Sequence, residues 1–331
     1  MERGIGNALA TRMRALLVLL CSCALCPAQG PTFRATVPTV LVPATITDKK
    51  NHYVNGLKPE DFVVLDNGVP QAIQLDTSDT TTIPISAVFI VQANDTSATA
   101  ILKIRKVGAG IQPLITGERG QTAVLMYGSQ TSLIQDFTSD PEEITRAFAV
   151  IDQDHDRKAV MLDAVSQAVT MLSLRPANER RIVVLIGETK DRGSKTKLEE
   201  VVKMVQREAV TIFPVTYSAY LTPFTTKGSD MPPPDGGGGW LDIPIEMTRL
   251  GKVNAANVLA ADSGGRRLSF ATVKTLERII GQVGEELHSQ YLISYTAPRG
   301  QAGFHTVEVK IRDRKDAVVR ARPGYWSDDK Q

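Results

Sequence analysis

Four short apolar runs set the frame of this chain: Ile85–Val91 (ISAVFIV), Thr122–Tyr127, Arg181–Ile186 and Thr211–Thr216. A run that stays apolar without alternating is what a strand buried on both faces requires, and such strands belong to parallel sheets. Between the runs, apolar residues recur at helical spacing. Ile101, Ile104 and Ile111 with Leu102 mark one helix, and Asp140-Pro141-Glu142-Glu143 opens a second with an acidic cap and proline at its first position. A third covers about Val160–Leu172, and a fourth, about Lys197–Arg207, sets Val201, Val202 and Val205 on one face. Strands separated by helices predict a doubly wound, mostly parallel α/β domain over residues 83–288, with its ligand crevice at the carboxyl ends of the strands. Later in that span the pattern gives a helix about Ile245–Ala261, a stop at Gly264-Gly265, a short strand Arg267–Phe270 and a helix Val273–Leu287. Pro223–Trp240, with Met231-Pro232-Pro233-Pro234 and Gly236–Gly239, interrupts it as a flexible loop.

The flanks are different. Residues 33–82 read as short strands and turns: Val37–Thr47 alternates, Phe62–Leu65 runs into Asp66-Asn67-Gly68, a hairpin signal, and a further strand Gln71–Leu75 follows. The thread Asp76–Thr82 is a polar linker. Residues 289–326 return to β with Tyr291–Tyr295, Phe304–Ile311 and Val318–Arg322. These two segments are expected to pack together as one small β module, discontinuous in sequence.

Residues 1–28 have the layout of a signal peptide. Arg3, Arg12 and Arg14 precede the uncharged run Ala15–Cys26, and Ala28 is a small residue at a cleavage position. The run is shorter than the roughly 20 residues that span a bilayer. Cleavage there removes all three cysteines, Cys21, Cys23 and Cys26, and leaves equal numbers of acids and bases. An exported chain without thiols, periplasmic or extracellular, is expected. It has no Cys nucleophile and no overall field drawing it to nucleic acid. Leu20-Cys21-Ser22-Cys23 partly resembles a lipobox, so membrane attachment follows only if Cys23 is lipidated.

Three stretches resemble the von Willebrand factor A-like (VWA-like) domains, specifically the VWFA-related proteins of acidobacteria. They are Gly56-Leu57-Lys58-Pro59-Glu60-Asp61-Phe62 with Asp66-Asn67-Gly68, then Ser263-Gly264-Gly265, then Tyr291-Leu292-Ile293-Ser294-Tyr295 with Arg320-Ala321-Arg322-Pro323-Gly324-Tyr325. The resemblance implies a protein-interaction module. It also implies a metal-ion-dependent adhesion site, in which Asp-x-Ser-x-Ser, a Thr and a strand-end Asp hold a divalent cation through oxygen donors. Here those positions carry Gln92, Asn94 and Thr96, then Ala159 in Arg157-Lys158-Ala159-Val160-Met161, then Glu188, with Asp95 in the spacer. Amides and one glutamate are poor substitutes for anionic ligands, and Arg157 and Lys158 add repulsion. The site is therefore expected to be degenerate. No cofactor is expected; Asp95 is the residual ligand through which Mg²⁺ would bind, and Lys158 or Arg157 is the cation expected beside Glu188.

Other constellations point nowhere specific. His52, His155, His288 and His305 lack ligand spacing, Asp154-His155-Asp156 reads as a solvated loop, and Gly236–Gly239 lacks the Lys-Ser/Thr of a phosphate loop. No Gly-x-Ser-x-Gly elbow occurs. The leading expectation is an exported, non-enzymatic module with a protein partner. Its alternatives are a cation-dependent adhesion protein and an extracytoplasmic hydrolase using Asp154, Asp156 or Glu188.

Overall fold

A computed structural model describes residues 39–76, 83–176, 178–217, 254–298, 300–314 and 316–327. The expected signal peptide, the linker residues 77–82, the loop 223–240 and residues 245–253 of the expected helix lie outside them. The chain begins with β1 (Thr39–Thr47), β2 (Phe62–Asp66), β3 (Val69–Pro70) and β4 (Ile73–Asp76). It then builds β5 (Ile85–Gln92), α1 (Ala98–Ile104), α2 (Gly108–Ile111), β6 (Gln121–Tyr127), β7 (Thr131–Thr138), α3 (Pro141–Ala149), α4 (Met161–Ser173) and β8 (Arg180–Gly187). After these come α5 (Leu198–Arg207), β9 (Val210–Thr216), α6 (Ala255–Ser263), β10 (Leu268–Ser269) and α7 (Val273–Ser289). Four strands close the described chain: β11 (Tyr291–Thr296), β12 (Gly303–Ile311), β13 (Val318–Ala321) and β14 (Gly324–Ser327).

The central six-stranded sheet has the order β10-β9-β8-β5-β6-β7. Every neighbouring pair is parallel except β6 with β7. All eight residues of β5 are buried, which is why its sequence shows no alternation. One face, with Ala87, Phe89 and Val91, packs on α1, α3 and α7 through Ile104, Phe148 and Ile280. The other, with Val88 and Ile90, packs on α4, α5 and α6 through Val165, Val201 and Leu259. The chain winds outward from β5 through β6 on one side and from β8 through β9 on the other. The direction of winding reverses between β5 and β8, the place where doubly wound sheets open a crevice. This is the α/β architecture that the sequence pattern predicts.

Two local expectations need correction. Ile101 to Ile111 does not form one helix: α1 ends at Ile104, and α2 is followed by a wider turn over Gln112–Thr116. The cause is Gly108, where an added Cβ would come within 2.9 Å of the Thr145 backbone, so α2 lies directly on α3. Leu102 faces outward, 62% exposed, and does not belong to the isoleucine face. The hairpin at Asn67-Gly68 is real, both residues having the positive φ (47° and 79°) that its tight turn demands. Its second strand is only Val69–Pro70, however, and Ile73–Asp76 crosses to another sheet and pairs with β11.

The flanking segments form two four-stranded antiparallel sheets, β13-β1-β11-β4 and β14-β12-β2-β3. Both draw on both ends of the described chain, since β1 pairs with β11 and β13 while β2 pairs with β12. Val42, Ile46, Val64, Ile293, Val307 and Val309 share one core. Beneath it Asp66 accepts hydrogen bonds from Tyr295 Oη (2.9 Å) and Tyr325 Oη (2.8 Å), and lies 2.8 Å from His305 Nδ1. Each oxygen of this buried carboxylate therefore has a partner. The module meets the α/β domain along a polar seam. Glu286 of α7 pairs with Arg320 of β13 and Arg266, and Arg322 donates to the Gln206 carbonyl at the end of α5.

Candidate functional site at the strand ends

Gln92 is the last residue of β5, and Glu188 directly follows the last residue of β8. The register pairs Val91 with Ile186, so the two side chains emerge together at the switch point. The Gln92 amide is held from both ends. Its Oε1 accepts from the Glu188 backbone N–H at 2.7 Å and from Tyr127 Oη at 3.3 Å. Its Nε2 donates to Asn94 Oδ1 at 2.9 Å and to Glu188 Oε2 at 3.2 Å. Asn94 Nδ2 in turn donates to the carbonyls of Arg157 (3.3 Å) and Lys158 (3.1 Å). Gly187 makes room for this arrangement, because a Cβ there would sit 2.3 Å from Tyr127 Oη and 2.9 Å from Gln92 Oε1. Burial raises the Tyr127 phenol well above its ordinary range, so it stays a neutral donor beneath the site.

Two loops close over these residues. Ala159 and Arg192 exchange backbone hydrogen bonds of 2.9 Å in both directions, an isolated antiparallel bridge. Asp191 Oδ1 accepts from the Leu162 N–H, and Ser194 Oγ from the Asp163 N–H, each at 3.1 Å, so the loop after β8 caps the first turn of α4. The Asp163 carboxylate returns the connection by accepting from Thr196 N and Lys195 N at 2.9 and 3.0 Å. Through this register Arg192 reaches Glu188, with its Nη2 3.3 Å from the carboxylate.

The structure thus brings Gln92, Asn94, Ala159 and Glu188 together. Thr96 lies in the single turn Asp95–Ser97; Asp95 is exposed, and its backbone N–H bonds Asp156 O at 3.1 Å. The cation seen on Glu188 is Arg192, which sequence reasoning did not single out. Arg157 and Lys158 offer Asn94 their carbonyls while their side chains are exposed, that of Lys158 lying along Gly193. A signal was present in the four-residue spacing of Glu188 and Arg192. It is not a helical spacing here, because the pair sits on a loop that the bridge to Ala159 folds back.

These residues do not fit a divalent cation. Mg²⁺ asks for roughly six oxygen donors with several charges among them. Here both side-chain amide oxygens accept hydrogen bonds from protein groups, Ala159 supplies no side-chain donor, and the one carboxylate is paired with a guanidinium. Among the described residues no group of three or more His, Cys, Asp or Glu side chains is placed to hold a metal. Asp154 accepts from Ser129 Oγ, Ser129 N and Asp156 N, and the Ser129 bonds hold its carboxyl below the usual range. His155 is exposed, His52 bonds Asp48, and His305 is buried against Asp66.

No protein-family model matches the sequence, and no curated protein does. Among solved structures, the chain is similar to proximal thread matrix protein 1 from the mussel byssus, at 12% identity and a TM-score of 0.48, over 69% of this chain and 51% of that one. It is also similar to a von Willebrand factor type A structure from Catenulispora acidiphila, at 10% identity and a TM-score of 0.47, over 90% of this chain and 76% of that one. A third is BatB from Bacteroides thetaiotaomicron, at 10% identity and a TM-score of 0.42, over 61% of this chain and 98% of that one. The chain spans about half the length of the mussel protein. The doubly wound α/β architecture with an antiparallel edge strand is read from this chain's own strand order.

Proposed function

We propose that this chain is an exported, non-enzymatic protein-interaction module whose strand-end site works without a metal ion. The observation that carries the reading is the closed amide circuit at the switch point. Gln92 bonds Glu188 through both its oxygen and its nitrogen, and Arg192 supplies a positive charge beside the carboxylate. A protein cation there does locally what a bound ion would do, neutralising Glu188 and fixing the two loops. The layout of residues 1–28 supports export, and what remains after cleavage carries no thiol. Against a hydrolase, the Ser129 hydrogen bonds hold the Asp154 carboxyl below its usual range, and the Glu188 carboxylate is engaged by Gln92 and Arg192.

Calorimetric titration of the purified protein with Mg²⁺, Mn²⁺ and Ca²⁺ tests the metal-free reading. No binding heat and no change in melting temperature is the expected result. One-to-one binding that disappears in Glu188→Ala would overturn it and favour cation-dependent adhesion.

A further inference from the structure

The sequence contains two Asn-Gly pairs, Asn55-Gly56 and Asn67-Gly68, both exposed and both in the β module. In such a pair the backbone nitrogen that follows the asparagine has no neighbouring Cβ to shield it. Both glycines have a positive φ (78° and 79°) and, chain neighbours aside, nothing within 4 Å of where a Cβ would stand. The two asparagines are held differently. Asn67 Oδ1 accepts from Thr306 N at 2.9 Å and from Thr306 Oγ1 at 3.2 Å, and its backbone N–H donates to Thr306 O at 2.9 Å, so its carboxamide is tied to β12. Among the described residues nothing hydrogen-bonds the Asn55 carboxamide. The main chain around Asn55 is fixed by contrast. Tyr291 Oη donates to Val54 O at 2.8 Å and accepts from Leu57 N at 3.0 Å, closing the turn Val54–Leu57 over the Asn-Gly pair.

We infer that Asn55 is a site of spontaneous covalent modification, converting to aspartate and isoaspartate, and that Asn67 is protected from the same reaction by its bonds to β12. The Gly56 backbone nitrogen, its proton taken by hydroxide, attacks Asn55 Cγ. The new N–Cγ bond forms, the carboxamide C–N bond breaks, and the amide nitrogen leaves as ammonia with a proton from water. Water then opens the cyclic succinimide at one of its two carbonyls. Cleavage of the N–Cγ bond gives an aspartate with the ordinary main chain; cleavage of the bond to the backbone carbonyl carbon gives isoaspartate, whose main chain runs through Cβ and Cγ. The isoaspartate therefore inserts an extra main-chain carbon inside the turn that Tyr291 spans, pulling Val54 O and Leu57 N out of register with its hydroxyl. Tyr291 packs edge-on against Phe62 at 5.2 Å, at the margin of the module's core, so the change is carried from an exposed turn to buried packing.

The test incubates the full chain at mildly alkaline pH, folded and in urea. Fragment-ion mass spectrometry locates the converted residue, and labelling by an isoaspartyl methyltransferase detects the isoaspartate. In the folded chain Asn55 should convert about tenfold faster than Asn67 or more, because a freely rotating carboxamide samples the attack geometry and a tied one does not. In urea the two rates should converge, which assigns the difference to the fold. Asn55→Gln, whose ring closure is slower, should abolish the fast conversion. Aged protein carrying isoaspartate should melt below the parent, whereas Asn55→Asp, which adds the same charge on an ordinary main chain, should melt with it. Asn67 converting as fast as Asn55 in the folded chain, or Asn55 staying intact when folded while the urea-unfolded chain converts, would overturn the site. An Asn55→Asp variant melting as low as the aged protein would overturn the role given to the Tyr291 turn.

Discussion

Glu286 and Glu188 are both buried carboxylates paired with arginine, and the two pairings are built to different tolerances. Glu286 has no exposed surface, and two guanidiniums, those of Arg266 and Arg320, each approach one of its oxygens to 2.5 Å while Thr45 Oγ1 lies 3.3 Å away. Nearby Arg180 is lowered to about 10 by burial, and the charge of Glu286 works against that shift. Glu188 keeps 8% exposure, meets the Arg192 guanidinium at 3.3 Å and accepts from the Gln92 amide at 3.2 Å. The first arrangement locks α7 to the β module; the second leaves one half-exposed arginine at the mouth of the sheet. Removing an anion from a sealed pair strands charge, whereas removing it beside solvent lets water take over.

The largest expected effect follows from that difference. Glu286→Gln leaves Arg266 and Arg320 without their buried counter-ion and should lower unfolding free energy by about 3–5 kcal/mol in urea titrations. Comparable losses in Glu286→Gln and Glu188→Gln would break the comparison.

Asp262 sharpens it, as a buried carboxyl of α6 that has neither an ion pair nor a hydrogen-bond donor on either oxygen among the described residues; it is 1% exposed, and burial raises it from 3.8 to about 7. Between those two values the folded chain binds a proton that the unfolded chain has lost. Stability should therefore fall as pH rises from about 4 to 7 and level off above, by about 2–4 kcal/mol at most. Asp262→Asn cannot ionise, so its melting temperature should lose this part of the pH dependence and exceed that of the parent at pH 8. An unchanged slope in the variant would mean that Asp262 ionises freely in the fold.

Smaller effects belong to the strand-end site. Glu188→Gln and Arg192→Met should each cost about 1–2 kcal/mol, because one partner is still partly solvated. The double variant should lose less than the sum of the two, by the coupling between them, and full additivity would deny that the pair interacts.

How much of this was legible in the sequence depends on where the determining contacts lie. The strands β5, β6, β8 and β9 were readable because burial on both faces leaves a run with almost no polar residue. The edge strand β7 escaped notice: its TSLIQDFT is mostly half-buried, carries Leu133 and Asp136 outward, and shows neither a clean alternation nor an apolar run. Gln92, which ends β5, and Glu188, which directly follows β8, were legible as neighbours because a parallel register brings such ends together, and Asn94 lies two residues beyond Gln92. Arg192 was not foreseen, since it reaches Glu188 through a backbone bridge between two loops, and no periodicity encodes that register. The helix expected across Ile101–Ile111 failed for a related reason, the close approach of Gly108 to α3 being a tertiary fact.

The smallest expected effect bears on Arg157 and Lys158, which charge reasoning from sequence placed beside Glu188. Their carbonyls, not their side chains, are what Asn94 binds, and both side chains are exposed. Truncating an exposed side chain leaves its backbone carbonyl in place, so Arg157→Ala with Lys158→Ala should change stability by less than about 0.5 kcal/mol. Asn94→Ala removes the donor itself and leaves two carbonyls and Gln92 Nε2 short of a partner, so its effect should be larger, about 1–3 kcal/mol. If the double alanine variant melted as low as Asn94→Ala, the cation stabilising this site would have to include Lys158 or Arg157. The assignment of the stabilising contacts here to the backbone carbonyls of Arg157 and Lys158 would then fail.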